Sequence, residues 1–181
     1  MYIPLFNKSN YSLLSSLLKI DDIVSYAKES NISEIAIADT NMYGTMEFIN
    51  KCKKEDIKPI IGLHVLLEEF SIVLYAKDYD GYKSLIKLSS IQNERKVTKE
   101  ELSKYNKNVI AILPYESKET YKELTSVYEE LYIGYRNKKE QTEVLLQTTN
   151  IVFFRESLYL TKNDESTLPY LFIVWLSSPI V

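Results

Sequence analysis

Between residues 34 and 154 the chain alternates strand-length apolar runs with stretches whose apolar residues recur at helical spacing, and this alternation restricts the fold more than any other feature. The runs 34–38, 60–67, 72–76, 109–113, 131–135 and 151–154 are apolar on both faces, as strands covered on two sides must be. Between them Thr45, Phe48, Ile49 and Cys52 share one helical face, as do Tyr82, Leu85, Ile86 and Ser89, and then Tyr121, Leu124, Tyr128 and Leu131. Ile20, Ile23, Val24 and Ala27 mark an earlier helix, with Asp21 and Asp22 at its positive end, and Val144 and Leu145 a later one. Residues 2–6 suit a first strand and 158–160 a last one.

A parallel connection needs a crossover of helix length, so the pattern predicts a parallel sheet covered by helices. About seven such units closing into a distorted β/α barrel is the expected α/β architecture. An open doubly wound sheet is the runner-up, but no glycine-rich phosphate loop follows the first strand. Pro59 holds Lys58 extended, Asp80-Gly81 marks a turn, and the mixed-charge region 92–107 reads as a solvated loop with one helical turn. Leu168, Leu171, Phe172 and Trp175 form a final helical face starting near Ser166, because Pro169 is tolerated only in a first turn.

At 181 residues and 45% apolar composition the chain has enough material for one ordinary core, and a single domain over 1–181 is expected. A net charge of −3 does not supply the basic field of a self-sufficient nucleic-acid binder. The lone Cys52 has no internal disulfide partner, and no leader-like opening is seen, so a cytoplasmic location is expected. The apolar stretch 168–181 is shorter than the roughly 20 residues of a membrane span and is interrupted by Pro169 and Pro179. It reads as a segment that expects a protein partner, not a membrane.

Three short motifs stand in order near strand ends: Tyr11-Ser12-Leu13-Leu14, Ala38-Asp39-Thr40-Asn41-Met42-Tyr43-Gly44, and Ile57-Lys58-Pro59-Ile60-Ile61-Gly62-Leu63. A fourth match follows at Gly81, Tyr82, Leu85, Leu88 and Ser90, and a looser one at Glu156-Ser157-Leu158-Tyr159-Leu160. Together they resemble the N-terminal PHP (polymerase and histidinol phosphatase) domain of bacterial DNA polymerase III alpha subunits, most of all the ligand-depleted forms of low-GC Gram-positive bacteria. The likeness is strong over 2–90 and collinear to about residue 172. It implies a distorted β/α barrel, cut short or continued by further domains at its C-terminal end, with a metal cluster at the C-terminal strand ends in active members.

Those members use several divalent ions to activate water for phosphoester cleavage, some as a 3'-5' exonuclease. Here the two histidines of the first motif are Phe6 and Lys8, the histidine of the second is Thr40, the glutamate of the third is His64, and the late Asp-x-His is lost. Asp39 and His64 are the remnant candidates for metal, and Lys8 would put a cation where a cation should bind. No catalytic residue and no resident cofactor are therefore expected. The alternative structural roles are a carboxylate capping the 41–45 turn for Asp39 and a core hydrogen-bonded histidine for His64. Cys52 reads as a small apolar filler, and Tyr121, Tyr128, Tyr132 and Tyr135 as packing, since base-stacking platforms come with a basic groove.

The resemblance thus implies a scaffold within a replicative polymerase, itself a DNA-directed nucleotidyltransferase whose polymerase residues lie in later domains. Partners would be those domains and other replisome proteins, with DNA met only through the full-length subunit. The rival expectation is a metal-dependent phosphoesterase or 3'-5' exonuclease of the same superfamily. A module that recruits a proofreading exonuclease or clamp is a third.

Overall fold

The computed structural model describes residues 3–13 and 15–158. Its elements run β1 (Phe6–Asn7), α1 (Ile20–Glu29), β2 (Glu34–Asp39), α2 (Thr45–Lys54), β3 (Lys58–Leu66), β4 (Ser71–Ala76), α3 (Tyr79–Glu94), α4 (Lys99–Lys104), β5 (Val109–Leu113), a 3-10 turn (Tyr115–Thr120), α5 (Tyr121–Leu124), β6 (Leu131–Tyr135), α6 (Lys138–Leu145), β7 (Ile151–Phe153) and β8 (Glu156–Ser157). Six strands form a curled sheet in the order β2-β3-β4-β5-β6-β7, and β1 pairs in parallel with β8 as a separate ribbon. The expected distorted β/α barrel is met as a curled six-stranded half-barrel, with the β1–β8 ribbon as a separate two-stranded sheet.

The sheet is not all parallel. β2–β3, β5–β6 and β6–β7 are parallel, but β4 runs antiparallel to both neighbours. Only residues 67–70 separate β3 from β4, and Leu67 N donates to Phe70 O at 2.9 Å. Four residues can close a hairpin but cannot supply a crossover. The short apolar runs hid this, because a strand buried on both faces reads the same in either direction.

Three faces of packing result. The larger core lies between one face of the sheet and α3, α4 and α5, with Leu63, Leu74, Leu85, Leu88, Leu102 and Ile133 fully buried. A second core joins α1 and α2 to β2 through Ile20, Ile23, Ile35, Phe48 and Cys52. The interior of the curl holds Phe6, Ala36, Ala38, Val73, Tyr75, Ile112 and Phe154. Small Ala36 and Ala38 leave room for Tyr75 and the Phe6–Phe154 stack, whose ring centroids are 4.8 Å apart.

Several local expectations shift. β1 is only two residues and lies at the end of the expected 2–6 strand, while the expected 158–160 strand appears as Glu156–Ser157, residues 159 and 160 lying outside the described set. The final helical face at 168–175 also lies outside it. Asp80-Gly81 is not a turn: Asp78 caps α3 by accepting from Asp80 N and Gly81 N at 2.9 Å each, which draws both residues into the first helical turn. The expected solvated loop 92–107 contains α4, started by Thr98 and Glu101 as a capping box and anchored by buried Val97 and Leu102. The helix expected over 121–131 stops at Leu124, because Val127 N and Tyr128 N both turn back to Leu124 O before β6 begins.

Gly81 is fixed by close approach rather than by an unusual φ. A Cβ there would lie 2.1 Å from Asn108 O, which itself accepts from Lys77 N while Asn108 Nδ2 donates to Asp78. Gly to Ala inside a helix ordinarily gains about 1 kcal/mol. Here the sign reverses, and Gly81→Ala should lower unfolding free energy by about 2–3 kcal/mol in urea denaturation, as overpacking against fixed backbone does.

Candidate functional site

The residues that carry the family motifs converge at the C-terminal ends of the parallel strands. Asp39 is the last residue of β2, only 3% exposed, and its neighbour across the β2–β3 ladder is Leu63, one residue before His64. Lys8 and Ser9 follow β1, Glu156 opens β8, Tyr115 and Glu116 follow β5, and Arg136 follows β6. Asp39, His64 and Lys8 lie near one another, close enough for the charge of Lys8 to act on the other two.

Asp39 is enclosed by donors. Its Oδ1 accepts from Ser9 N at 2.6 Å and from Ser12 Oγ at 2.7 Å, and its Oδ2 accepts from Ser9 Oγ at 2.6 Å. Ser12 Oγ in turn accepts from Thr40 N at 3.1 Å. Burial pushes the carboxyl pKa up, while the hydrogen bonds from Ser12 and Ser9 oppose that shift. The expected capping of the 41–45 turn by Asp39 is replaced by this link to the N-terminal loop; the turn is closed instead by Asn41, whose Oδ1 accepts from Tyr43 N. Asn41 Nδ2 also donates to Tyr11 O, holding the two loops together.

Lys8 is buried, and its Nζ lies 2.5 Å from Glu156 Oε1. Its side chain therefore spans the β1–β8 ribbon. His64 packs its ring edge-on to Phe6 at 5.1 Å between centroids and is 8% exposed. The expected core hydrogen bond is not made: neither ring nitrogen has a partner among the described residues, and the ring packs against Phe6 instead. Burial and then the positive charge of Lys8 push its pKa down to about 3, so it is neutral at ordinary pH.

A small cleft of about 180 Å³ opens between these groups, lined by Phe6, Lys8, His64, Tyr115, Arg136 and Glu156. Arg136 is held on two sides, by Glu116 at 2.6 Å and by Glu140 at 2.7 Å, and its backbone N donates to Glu140 Oε2. Arg136 pulls the Glu140 pKa down. Sequence reasoning missed Arg136, Glu140 and Gln92. Gln92 Nε2 donates to Thr40 O and His64 O, and its Oε1 accepts from Leu66 N, so one side chain of α3 ties together the ends of β2 and β3. It continues the buried Leu85, Leu88, Ser89 stripe at helical spacing, which was the available signal.

A multinuclear hydrolytic centre needs several carboxylate or imidazole donors with free lone pairs around each ion. Here the oxygens of Asp39 accept three hydrogen bonds, and Lys8 and Arg136 place cations at the mouth. Among the described residues no group of three or more His, Cys, Asp or Glu could hold a metal ion. Cys52 is fully buried between α2 and α1, where burial pushes its thiol pKa up to about 11, a setting that suppresses the thiolate.

The curled sheet with helices on its outer face is shared with two solved structures. An amidohydrolase from Chromobacterium violaceum, solved with sulfate and without metal, superposes with a TM-score of 0.62 at 8% identity over 87% of this chain and 88% of that one. A protein from Bifidobacterium adolescentis described as a metal-dependent phosphoesterase gives 0.57 at 10% identity over 80% and 82% of the two chains. At such identities the likeness concerns the fold alone. The chain belongs to the PHP domain family, which matches residues 5–164. Its sequence relatives are DNA polymerase III alpha subunits: that of Ureaplasma parvum is 45% identical over 91 residues, half of this chain, and that of Staphylococcus aureus strain Mu50 is 32% identical over 169 residues, 87% of it. The Staphylococcus epidermidis RP62A subunit is 30% identical over 174 residues, 90% of this chain. The chain spans only 9 to 16% of the length of these relatives.

Two outcomes follow from the site geometry. Asp39→Ala leaves three donors without an acceptor and should cost about 2–4 kcal/mol of stability, whereas Asp39→Asn, which can accept from Ser9 N and Ser12 Oγ and donate to Ser9 Oγ, should cost under about 1. Because the folded pKa of Asp39 is raised, the native state holds its proton to higher pH than the unfolded one. Stability therefore falls as pH rises through that window, and urea midpoints across pH 3.5–6 should show Asp39→Asn gaining on the unchanged protein. For His64 the sign is opposite: the unfolded chain takes up a proton below about 6.5 that the folded chain refuses until about 3. Stability should drop by up to about 1.4 kcal/mol per pH unit within that window, and His64→Leu should remove this acid-sensitive component.

Proposed function

We propose that this chain serves in DNA replication as the PHP domain of a DNA polymerase III alpha subunit and that it acts there as a structural scaffold, not as a hydrolase. The observation that supports the scaffold role is the engagement of Asp39 by Ser9 and Ser12 beside a buried Lys8. A carboxylate spent on holding a loop leaves little for an ion, and a fixed ammonium repels one. The cations and carboxylates at the mouth neutralise each other in place, Lys8 with Glu156 and Arg136 with Glu116 and Glu140.

Partners in this role are the remaining domains of the subunit and, through them, replisome proteins and DNA in the cytoplasm; no membrane is involved. No described helix is long and apolar enough to cross one. The loops after β1 and β2 and the first turn of α2 offer a contact surface, with Leu13 82%, Tyr43 68% and Met46 58% exposed. These loops are tied by the Asn41–Tyr11 hydrogen bond and by the approach of the Tyr11 ring to Gly44, where a Cβ would be 2.6 Å away. A fixed apolar surface of this kind suits permanent packing against another domain.

The test is hydrolysis of bis-p-nitrophenyl phosphate and of 3'-labelled single-stranded DNA by the purified chain, with and without manganese. Rates equal to those of manganese alone, and no manganese retained after gel filtration, are expected. Manganese-stimulated cleavage that disappears in a folded Asp39→Asn variant would overturn the scaffold reading in favour of a phosphoesterase or exonuclease.

A further inference from the structure

Residues 3–9 are held to the molecule differently from the rest. Their backbone pairing is the two-residue match of β1 with β8, extended by Lys8 N, which donates to Ser157 O at 3.2 Å. Further ties run through side chains. Asn7 Nδ2 donates to Ala36 O at 2.9 Å, Tyr75 Oη to Leu5 O at 2.6 Å and Ser16 Oγ to Lys8 O at 2.6 Å, while Lys8 pairs with Glu156 and Ser9 donates to Asp39. Just beyond, the chain is pinned to neighbouring loops: Asn41 Nδ2 donates to Tyr11 O, Tyr11 Oη donates to Glu47 at 2.7 Å, and Ser12 Oγ accepts from Thr40 N.

β2 is an edge strand of the six-stranded sheet, so every ladder of that sheet survives if residues 3–9 leave. Neither core that lies under the helices has a buried member in this stretch; only the interior of the curl does, through Phe6. A segment whose loss spares the sheet ladders and two of the three cores opens at a lower cost than the whole fold. Beneath it lie two polar groups. The ring of Phe6 meets His64 edge-on, and both ring nitrogens of His64 are buried with no partner among the described residues. Ser9 Oγ occupies Oδ2 of Asp39.

We infer that residues 3–9 form a lid that leaves the sheet as one unit while Tyr11 and Ser12 stay in place, and that its opening uncovers His64 and Oδ2 of Asp39 together. His64 belongs to β3 and not to the lid, so its accessibility reports the opening and not the fraying of a chain end. The lid is independent of the scaffold role proposed above.

His64 is the chain's single histidine, so carbethoxylation by diethyl pyrocarbonate, read from the ultraviolet absorbance of N-carbethoxyhistidine, follows one imidazole. In the 181-residue chain near neutral pH the rate is expected to be many-fold below that of N-acetylhistidine. It should rise with sub-denaturing urea along a slope well below that of global unfolding, because a lid exposes less surface than the whole fold. Asn7 lines the groove beside α1 and not the cleft that His64 lines, so Asn7→Ala loosens the lid without trimming the cover over the imidazole. It should raise the rate several-fold without urea, with far-ultraviolet circular dichroism retained. Tyr75→Phe, which removes only the hydroxyl that donates to Leu5 O, should act in the same direction more weakly. A rate equal to that of N-acetylhistidine in the unchanged chain overturns the inference. So does a urea slope equal to that of global unfolding, or a rate that the folded variants leave unaltered.

Discussion

The hydrogen bonds from Ser9 and Ser12 to Asp39 tie the loop after β1 to the end of β2. β1 has only two residues paired to β8 by backbone, so its attachment to β2 depends on side chains: Asn7 Nδ2 to Ala36 O at 2.9 Å, and the serine donors to Asp39. A buried carboxylate is costly unless its lone pairs are filled. Here two serines and a backbone N–H fill them, and in return the loop that carries Lys8, Tyr11 and Leu13 has one position relative to the sheet. Phe6 then stacks on Phe154 and meets His64 because β1 is held at that depth.

Charge at the mouth is balanced by side chains. Lys8 and Glu156 bridge the ribbon, and Arg136 joins the turn after β5 to α6 through Glu116 and Glu140. In a half-buried setting such pairs are geometric devices more than sources of stability, since desolvation offsets much of their attraction, while removal of one partner leaves a stranded charge. The arrangement joins segments far apart in sequence, a task that bridging ions perform in metal centres. His64 is the exception, a neutral ring packed against Phe6, with no hydrogen-bond partner for its nitrogens among the described residues.

Much of this was legible in the sequence. The strand runs and helical faces from 20 to 54 and at β4, β5, β6 and α6 correspond to observed elements, because burial on both faces and 3.6-residue periodicity are strong local signals. Strand direction was not legible, and the hairpin at 67–70 turned an expected parallel sheet into a mixed one. Helix ends depended on side-chain caps, and Asp78 and Thr98 decided them. At the site, the motifs singled out Asp39, His64 and Lys8 but not the residues they contact. Ser9 and Ser12 lie 30 and 27 residues from Asp39, and nothing local in the sequence announces such a contact.

The β1–β8 ribbon also shapes how the chain must organise itself. Phe6 opposes Glu156, so two residue pairs close a loop that contains nearly the whole described fold, whereas the β3–β4 hairpin closes over four residues. Loop-closure entropy grows with the logarithm of length, and contacts of long sequence separation have the steepest entropic threshold to cross. A ribbon this short gains little by backbone pairing alone; Asn7 and Phe6 add the contacts with Ala36 and Phe154 that hold it. The N-terminal segment is therefore attached to the sheet chiefly by side chains, at the place where the fold has the least backbone pairing to spare.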